Sequence, residues 1–359
     1  RKTEPYVRPG YIQAKKTQYR SLTGRAREFW HEGRRPIMPL MGYPGLNYTG
    51  STVKQNQFNH AAQYKTISRL YDRFRPDAMM FLMDLSVEAS ALGLPVRFPL
   101  DETPTVECRS LESADCLQTY RNIDVLADAR VMVYLEVIRH MRAGLPVPVG
   151  GYVTGPFTLA GLIMDANDLA MKTMLDPELC HDVLEFATGV VVRYTEGLRD
   201  AGADFVMILD PTAVMLGPSQ FSEFAGAYVR ELTGLVNDVE VILHICGNTS
   251  HILDDMAHTG VVGLSLDSDM DFAEAARVVG PDMLLIGNVS PVEMLLNSPE
   301  AITAQTNAVL GATADHPPFL LSTGCDLPQD VPMRNIRALM DAGREWRRAQ
   351  EPAAIAPIG

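Results

Sequence analysis

The stretch Val239-Glu240-Val241-Ile242-Leu243-His244-Ile245-Cys246 joins a predicted β-strand to two metal-binding residue types. Residues i and i+2 of a strand face the same side, so His244 and Cys246 are predicted to point together into the molecule. A second apolar run, residues 318–323, is closed by Gly324 and Cys325. The sequence therefore predicts that three metal-binding side chains follow two different strands.

Imidazole and thiolate are good zinc ligands, and three protein ligands leave a fourth position for water or substrate. Two thiolates also cancel the double charge of the metal. A substrate thiol that binds such a zinc has a lowered pKa and stays nucleophilic. We predict that His244, Cys246 and Cys325 bind zinc and support alkyl transfer to sulfur. The alternative is a buried structural histidine beside a cysteine that packs as a small hydrophobe.

Composition excludes several classes of function. The formal charge is −13, which argues against a nucleic-acid or anionic-membrane partner. No run of eighteen apolar residues occurs and residues 1–20 are polar and basic, so we expect neither a membrane span nor a secretory signal. Five cysteines, an odd number, fit a reducing compartment, and we expect a cytoplasmic protein. The sequence leaves open whether the protein forms a homo-oligomer.

Predicted strands and helices alternate along the whole chain. The strand candidates are residues 36–40, 78–83, 147–153, 204–209, 239–245, 260–266, 283–287 and 318–323. Helices are predicted at 177–201, where Gly202 gives the stop, and at 218–235. Eight such units predict an α/β fold of the (β/α)8 TIM-barrel type, with its site at the carboxyl ends of the strands. We expect one domain over 1–359, with an N-terminal extension at 1–35, a partly helical insertion at 94–143 and a frayed tail at 351–359.

Four segments then suggest a family. They are Phe81-Leu82-Met83-Asp84-Leu85-Ser86-Val87-Glu88-Ala89, Gly155-Pro156-Phe157-Thr158-Leu159-Ala160, Ala201-Gly202-Ala203-Asp204 and Gly287-Asn288-Val289-Ser290-Pro291. In this order they resemble the uroporphyrinogen decarboxylase superfamily, from about Tyr19 to Trp346. Within it, His244-x-Cys246 with distant Cys325 resembles the zinc signature of the methylcobamide:coenzyme M methyltransferase branch. The resemblance implies that zinc activates an acceptor thiol, which takes the methyl group of a methylated corrinoid protein.

Two departures from the decarboxylase itself support the same branch. That enzyme has an arginine-bearing segment after its first strand, whereas here Met38-Pro39-Leu40-Met41-Gly42-Tyr43-Pro44-Gly45-Leu46-Asn47 has none. Its Gly-His-Gly segment is replaced by Gly324-Cys325-Asp326. A tetrapyrrole rich in carboxylates needs cationic partners in a dry pocket. Decarboxylation of uroporphyrinogen is therefore the less favoured function.

Asp267 is the candidate for a fourth zinc ligand. It ends a predicted strand that directly follows the His-x-Cys strand in the chain, so the two strands are expected to be neighbours. Cobalamin-independent methionine synthases, which resemble this chain distantly in fold, carry an acidic ligand at about this place. The alternatives for Asp267 are a helix cap and a hydrogen-bond acceptor beside the ligands.

Weaker candidates also stand at predicted strand ends. Asp84 matches an aspartate that holds pyrrole nitrogens in the decarboxylase, which implies a position facing the corrinoid or the acceptor. Asp210 and Asn288 are the other catalytic candidates. For Asp84, capping of the following helix is an equal alternative. For Asp210, a hydrogen-bonding position beside the site residues and a helix cap are equal alternatives.

The candidates for cofactor binding are Tyr43, Asn47 and Glu88. Tyr43 and Asn47 are expected in the pocket wall. Glu88 lies one helical turn beyond Asp84, and its alternative is a solvated acid or an acid that hydrogen-bonds to the residues around the site. Cys108 and Cys116 have a spacing that suits neither a zinc knuckle nor a required disulfide.

These features together predict a zinc-dependent methyltransferase acting from a methylcorrinoid to a small thiol, with coenzyme M as first choice. The chain has no Asp-x-His-x-x-Gly segment, so a partner protein must supply the corrinoid. Tetrahydrofolate as acceptor, transfer of coenzyme M to another electrophile such as an epoxide, and a non-catalytic barrel with structural zinc remain alternatives.

Overall fold

The computed structural model describes residues 20–107 and 114–348. The strands in this part of the chain are Met79–Met80 (β1), Val96–Arg97 (β2), Thr105–Val106 (β3), Val149–Thr154 (β4), Phe205–Leu209 (β5), Glu240–Ile245 (β6), Gly263–Leu266 (β7), Leu284–Val289 (β8) and Phe319–Thr323 (β9). β1 and β4 to β9 form one parallel sheet in chain order, whereas β2 and β3 form a separate antiparallel hairpin. β4 to β9 are buried along their whole length, as expected for a parallel sheet covered on both faces.

The sheet curls back on itself through a short segment around Ile37. Ile37 forms a parallel bridge with Leu321 of β9, and the Met38 N–H donates to the Leu321 carbonyl at 2.9 Å. On the other side, the Asp77 N–H donates to the Ile37 carbonyl at 2.8 Å, just before β1. The predicted α/β barrel is therefore confirmed. Its first predicted strand, 36–40, is wrong in extent, because only one residue pairs as a bridge.

Helices surround this sheet. Their bounds are Leu22–His31 (α1), Pro44–Thr49 (α2), Val53–Phe58 (α3), His60–Phe74 (α4), Val87–Ala91 (α5), Ala129–Gly144 (α6), Pro156–Met164 (α7), Ala166–Leu175 (α8), Pro177–Ala201 (α9), Pro218–Phe221 (α10), Ala227–Leu235 (α11), Leu253–Ala257 (α12), Phe272–Val279 (α13), Pro291–Leu296 (α14), Pro299–Ala312 (α15) and Met333–Glu345 (α16). Short 3₁₀ turns occupy Ala114–Thr119, Val125–Ala127 and Pro211–Met215. The predicted helix 218–235 contains a π-helical turn, Ser222–Gly226, between α10 and α11.

Local signals in the sequence explain why α9 has its predicted limits. The Asp176 side chain accepts a hydrogen bond from the Leu179 N–H, which satisfies a free donor of the first turn. Pro177 at the first helical position needs no such partner. Gly202 adopts φ 109° and caps the last turn through its N–H, a conformation that favours glycine.

The chain termini and the insertion depart from the barrel plan. Only residues 20–35 of the predicted extension are described, and they include α1. The predicted insertion contains the β2–β3 hairpin, which the sequence analysis missed, and most of α6. Cys108 and the predicted frayed tail lie outside the described residues. The division into extension, barrel and insertion stays a prediction. In the described chain, no helix has the length and apolar character needed to cross a membrane.

Candidate metal centre

The structure brings His244, Cys246 and Cys325 together. His244 lies near the end of β6, Cys246 follows that strand, and Cys325 follows β9. The His244 Nε2 lies 3.1 Å from the Cys246 Sγ, and the two Sγ atoms are 3.5 Å apart. All three donor atoms lie within 4.8 Å of one another. Because β7 and β8 separate β6 from β9 in the sheet, only the curvature of the barrel places these donors side by side.

Ser265 of β7 fixes the orientation of the His244 ring. The His244 Nδ1 lies 3.0 Å from the Ser265 carbonyl oxygen and 3.1 Å from its Oγ. A carbonyl can only accept, so we assign the ring proton to Nδ1, which leaves the Nε2 lone pair directed at the two sulfurs. A second hydrogen bond of this kind is typical of a histidine that ligates a metal.

The three groups also shift each other's protonation. Hydrogen bonding from the Cys325 thiol lowers the pKa of Cys246, whereas this shared bond and burial raise the pKa of Cys325. Burial acts to lower the pKa of His244, but contact with Cys325 and the Ser265 carbonyl outweighs it, and the net direction is upward. The shared hydrogen bond thus makes Cys246 the more acidic of the two thiols.

This donor set fits zinc. It offers one imidazole and two thiolates, which are preferred zinc ligands, in a buried to half-buried position. Within residues 20–107 and 114–348, these three are the donor side chains grouped closely enough to hold a metal ion. A fourth coordination position would be open to a substrate.

Asp267 is not brought into this group. Its Oδ2 accepts from the Gly247 N–H at 2.9 Å, and its Oδ1 accepts from the Ser268 hydroxyl at 3.1 Å and the Asp269 N–H at 3.2 Å. These contacts fit the alternative reading of Asp267 as a hydrogen-bond acceptor that fixes the backbone beside Cys246. Its role as a ligand stays a prediction.

Asn288 lies at the end of β8 and supports the same loop. Its Nδ2 donates to the Asp267 carbonyl at 3.0 Å and to the Met270 carbonyl at 2.9 Å. The loop approaches Gly324 so closely that a Cβ there would lie 2.4 Å from the Ser268 nitrogen. Glycine before Cys325 is thus required by packing, and the contacts give Asn288 a positioning role.

Asp210 lies behind the metal centre. Its N–H donates to the His244 carbonyl at 2.9 Å, and its Oδ1 accepts from the Thr158 N–H at 2.7 Å at the start of α7. Burial raises the pKa of Asp210 to about 6. Asp210 thus accepts a hydrogen bond from the first turn of α7 and makes no capping hydrogen bond to the 3₁₀ turn after β5. A catalytic role for Asp210 stays a prediction.

Asp84 and Glu88 lie on the side of β1 and β4, where each accepts hydrogen bonds from its own protein partners. Asp84 forms a buried ion pair with Arg130, accepts from the Tyr134 hydroxyl at 2.7 Å, and accepts from the Ser86 N–H at 2.9 Å. Glu88 accepts from the Thr154 N–H at 2.7 Å and its hydroxyl at 2.8 Å. Burial raises the pKa of Glu88 to about 7. The solvated alternative for Glu88 is wrong, because its side chain is fully buried.

Tyr43 lines a cavity of about 440 Å³ and donates its hydroxyl to the Met83 carbonyl at 2.8 Å. Burial raises its pKa well above the usual range. Asn47 does not line this cavity within the described residues. Its Nδ2 donates to the Gln329 carbonyl at 3.0 Å and thereby ties α2 to the loop after β9. Cofactor binding by Tyr43 and Asn47 stays a prediction.

Sequence reasoning missed several residues at this mouth. Asp326 follows Cys325 and lines the cavity, where burial and the neighbouring Cys325 raise its pKa well above the usual range. Asp101 and Thr103 reach the cavity from the loop between β2 and β3. The position of Asp326 directly after a predicted ligand could have flagged it. Nothing local marks Asp101.

A parallel α/β barrel with a His-Cys-Cys group at the carboxyl ends of its strands defines a candidate metalloenzyme of the TIM-barrel class. The uroporphyrinogen decarboxylase family model matches residues 39–346, and the chain belongs to that family. The resemblance stated from the sequence is thus confirmed.

Relatives within the family point to two activities. The chain is 33% identical to the methylcobamide:CoM methyltransferase MtaA of Methanosarcina barkeri, over 62% of this chain and 66% of that relative. It is 28% identical to the uroporphyrinogen decarboxylase of Paraburkholderia phytofirmans, over 80% of this chain and 82% of that relative. Among solved structures, a methyltransferase from Methanosarcina mazei matches with a TM-score of 0.82 and 25% identity, over 91% of this chain and 99% of that one.

Proposed function

We propose that this chain is a zinc-dependent methyltransferase that moves a methyl group from a methylated corrinoid protein to a small thiol, with coenzyme M as the first candidate acceptor. The observation that carries the proposal is the mutual contact of His244, Cys246 and Cys325 at the barrel mouth. The similarity to MtaA, whose name specifies methylcobamide and CoM, supports the same reaction.

Some residues of this chain would hold the metal, and others would position those metal ligands. His244, Cys246 and Cys325 would hold zinc, which as a Lewis acid lowers the pKa of an acceptor thiol. Ser265 keeps the Nε2 of His244 directed at the two sulfurs. Asp267 and Asn288 fix the loop against which Gly324 packs, so that Cys325 stays close to Cys246.

The reaction itself is a displacement at carbon. The acceptor thiol gives its proton to solvent, its sulfur forms a bond to the methyl carbon, and the carbon–cobalt bond breaks with its electron pair staying on cobalt. Positioning of sulfur in line with that bond supplies part of the rate. The corrinoid would reach the mouth on a separate protein.

Decarboxylation of uroporphyrinogen has less support. Its substrate carries a cluster of carboxylates, and the described lining of the cavity contains no lysine, arginine or histidine to meet them. Arg130, beside the cavity, is already paired with Asp84.

The proposal is tested by demethylation of free methylcobalamin, followed by loss of its methyl–cobalt absorbance. Coenzyme M, homocysteine and tetrahydrofolate are offered separately to the zinc-loaded protein and to Cys246→Ala, with Cys116→Ala as a cysteine control outside the centre. We expect activity with a thiol in wild type and control, and none in Cys246→Ala. Activity with tetrahydrofolate alone would mean that the methyl acceptor is tetrahydrofolate and not a thiol. No activity with any of the three acceptors would overturn the proposal.

A further inference from the structure

The loop after β7, residues 267–271, lies between the two loops that carry the candidate cysteine ligands. On one side, the N–H of Gly247, the residue directly after Cys246, donates to a carboxylate of this loop at 2.9 Å. On the other side, the loop packs against Gly324, the residue directly before Cys325, and leaves no room for a side chain there. The position of this loop therefore affects both cysteines.

Met270 adds a second contact between this loop and the loop that follows Cys246. Its Sδ accepts a hydrogen bond from the Thr249 N–H at 3.2 Å, from the Thr249 hydroxyl at 3.5 Å and from the Ser250 hydroxyl at 3.7 Å. Thr249 is fully buried and Met270 nearly so. Because bulk water does not reach Thr249, its two donors depend on this sulfur, and a buried donor left without an acceptor is unfavourable.

The backbone of Met270 is itself held at both ends. Its N–H donates to the Asp267 carbonyl at 3.1 Å, and its carbonyl accepts from the Nδ2 of Asn288 at 2.9 Å. Asn288 belongs to β8, so the position of the Met270 sulfur is set by the sheet. The sulfur thus offers the loop after Cys246 a fixed point of attachment.

This use of a thioether is uncommon, because a thioether is a weak hydrogen-bond acceptor and buried methionine usually provides adaptable apolar packing. Met256 shows the usual case. It lies in α12, just beyond the same loop, and is fully buried. In the part of the chain that the structure describes, its sulfur accepts no hydrogen bond, whereas the Met270 sulfur accepts three. The two methionines therefore differ in hydrogen bonding and hardly in burial.

We propose that the thioether of Met270 is a positioning group of the metal centre, which holds the loop after Cys246 in place and thereby keeps the Cys246 sulfur close to that of Cys325. The inference rests on the proposed function, because it requires that these cysteines bind the metal. The effect of Met270 passes through Thr249 and Ser250. Loss of its sulfur should therefore weaken metal binding without removing a ligand.

Met270→Leu tests this role, since leucine fills a similar volume and has no acceptor atom. Competition with a chromophoric chelator measures zinc affinity in the full chain. The Co(II)-substituted protein gives a second readout, the sulfur-to-metal charge-transfer absorption. We expect zinc affinity to fall by about tenfold and the charge-transfer bands to shift. Met256→Leu is the matched control and should change neither.

Thr249→Val is a second and milder variant, because it removes the hydroxyl donor and keeps the N–H. We expect a smaller loss of zinc affinity than in Met270→Leu. In the double variant the two losses should not add, because both changes remove the same contact. Urea unfolding of the metal-free proteins separates a purely structural role, which would lower stability and leave the zinc affinity of the folded protein unchanged.

The possible outcomes separate this inference from the proposed function. Wild-type zinc affinity in both Met270→Leu and Thr249→Val overturns the inference and leaves the methyltransferase proposal standing. If Met270→Leu does not fold, the result with Thr249→Val decides in the same way. Failure of the wild type to bind one zinc ion per chain would remove the proposed function, and the inference with it.

Discussion

Both sides of the barrel mouth carry side chains that could ligate a metal, but these side chains have different partners. On the side of β6 and β9, the donor atoms of His244, Cys246 and Cys325 turn toward one another. On the side of β1 and β4, the carboxylate oxygens of Asp84 and Glu88 accept hydrogen bonds from protein groups. A polar residue at a strand end is therefore a candidate ligand only if its neighbours leave its donor atoms free. The first side groups three donor atoms that could hold a metal ion, whereas the acids of the second side are hydrogen-bonded within the protein.

Removal of a metal donor should give the largest effect. Cys325→Ala leaves one imidazole and one thiolate, and we expect zinc affinity to fall by about 100-fold or more, beyond the loss typical of changes outside the ligands. Competition with a chromophoric chelator measures this affinity. Cys180→Ala is the control, since Cys180 is a buried cysteine packed in the core between α8 and α9. Unchanged zinc affinity in Cys325→Ala would show that the side of β6 and β9 does not bind the metal through Cys325, and would contradict the difference between the two sides.

Arg130→Met should affect stability and not the metal. It leaves Asp84 buried without its counter-charge, which costs about 3–5 kcal/mol of unfolding free energy. Urea unfolding measures the loss, with Arg139→Met as control because its ion pair with Glu136 is exposed and worth at most about 1 kcal/mol. If Arg130→Met loses zinc or activity while keeping its stability, the Asp84 side belongs to the site.

Glu88→Gln should change the pH dependence of stability. Burial raises the pKa of Glu88 from 4.5 to about 7, so the folded state holds this proton more tightly than the unfolded state. Its contribution to stability is therefore present below pH 4.5 and is lost as pH rises to about 7. As pH rises from 4.5 to 8, the free energy of unfolding of the variant should increase relative to that of the wild type by on the order of 2–3 kcal/mol.

Urea unfolding at pH 4.5, 6 and 8 measures this difference. The pKa of Asp210 is also raised, to about 6, but Asp210 is present in both proteins. Its effect on the pH dependence of stability therefore cancels in the difference between variant and wild type. Glu136→Gln, at an exposed site, should show no such trend. A constant difference across this range would mean that Glu88 is not held protonated by burial.

Ser265→Ala should give the smallest effect. The His244 Nδ1 loses its contact with the Ser265 hydroxyl but keeps the Ser265 carbonyl at 3.0 Å. We expect zinc affinity to fall by at most about tenfold, at the low end for a partner of a metal ligand. The same chelator competition measures it. A loss as large as that of Cys325→Ala would show that the hydroxyl, and not the carbonyl, fixes the ring.

Much of the fold was predictable because its signals are local. Apolar runs and helical spacing gave seven of the sheet's strands with bounds that differ by up to three residues, and Pro177 and Gly202 marked both limits of α9. The segment around Ile37 was overextended, because its apolar residues serve packing while only one pairs. The β2–β3 hairpin has two residues per strand and no periodicity to detect.

The clustering of the three candidate donors was predictable from the sequence, whereas the contacts around them were not. His244, Cys246 and Cys325 were selected by chemistry that few side chains share. Aspartate is ambiguous in sequence, since it can ligate, cap or pair. Only the contacts place Asp267 on backbone N–H groups, Asp210 at the start of α7 and Asp84 against Arg130.

The sequence by itself thus determined the barrel class and the three candidate zinc donors, since periodicity and side-chain chemistry follow from the order of residues. The tertiary structure alone decided which carboxyl groups are neutralised and which face the cavity. Asp84 and Arg130 lie 46 positions apart, and Asp101 and Asp326 reach one space from opposite parts of the chain. Charge balance between such groups depends on distance and burial, which arise only when the strands curl into a closed barrel.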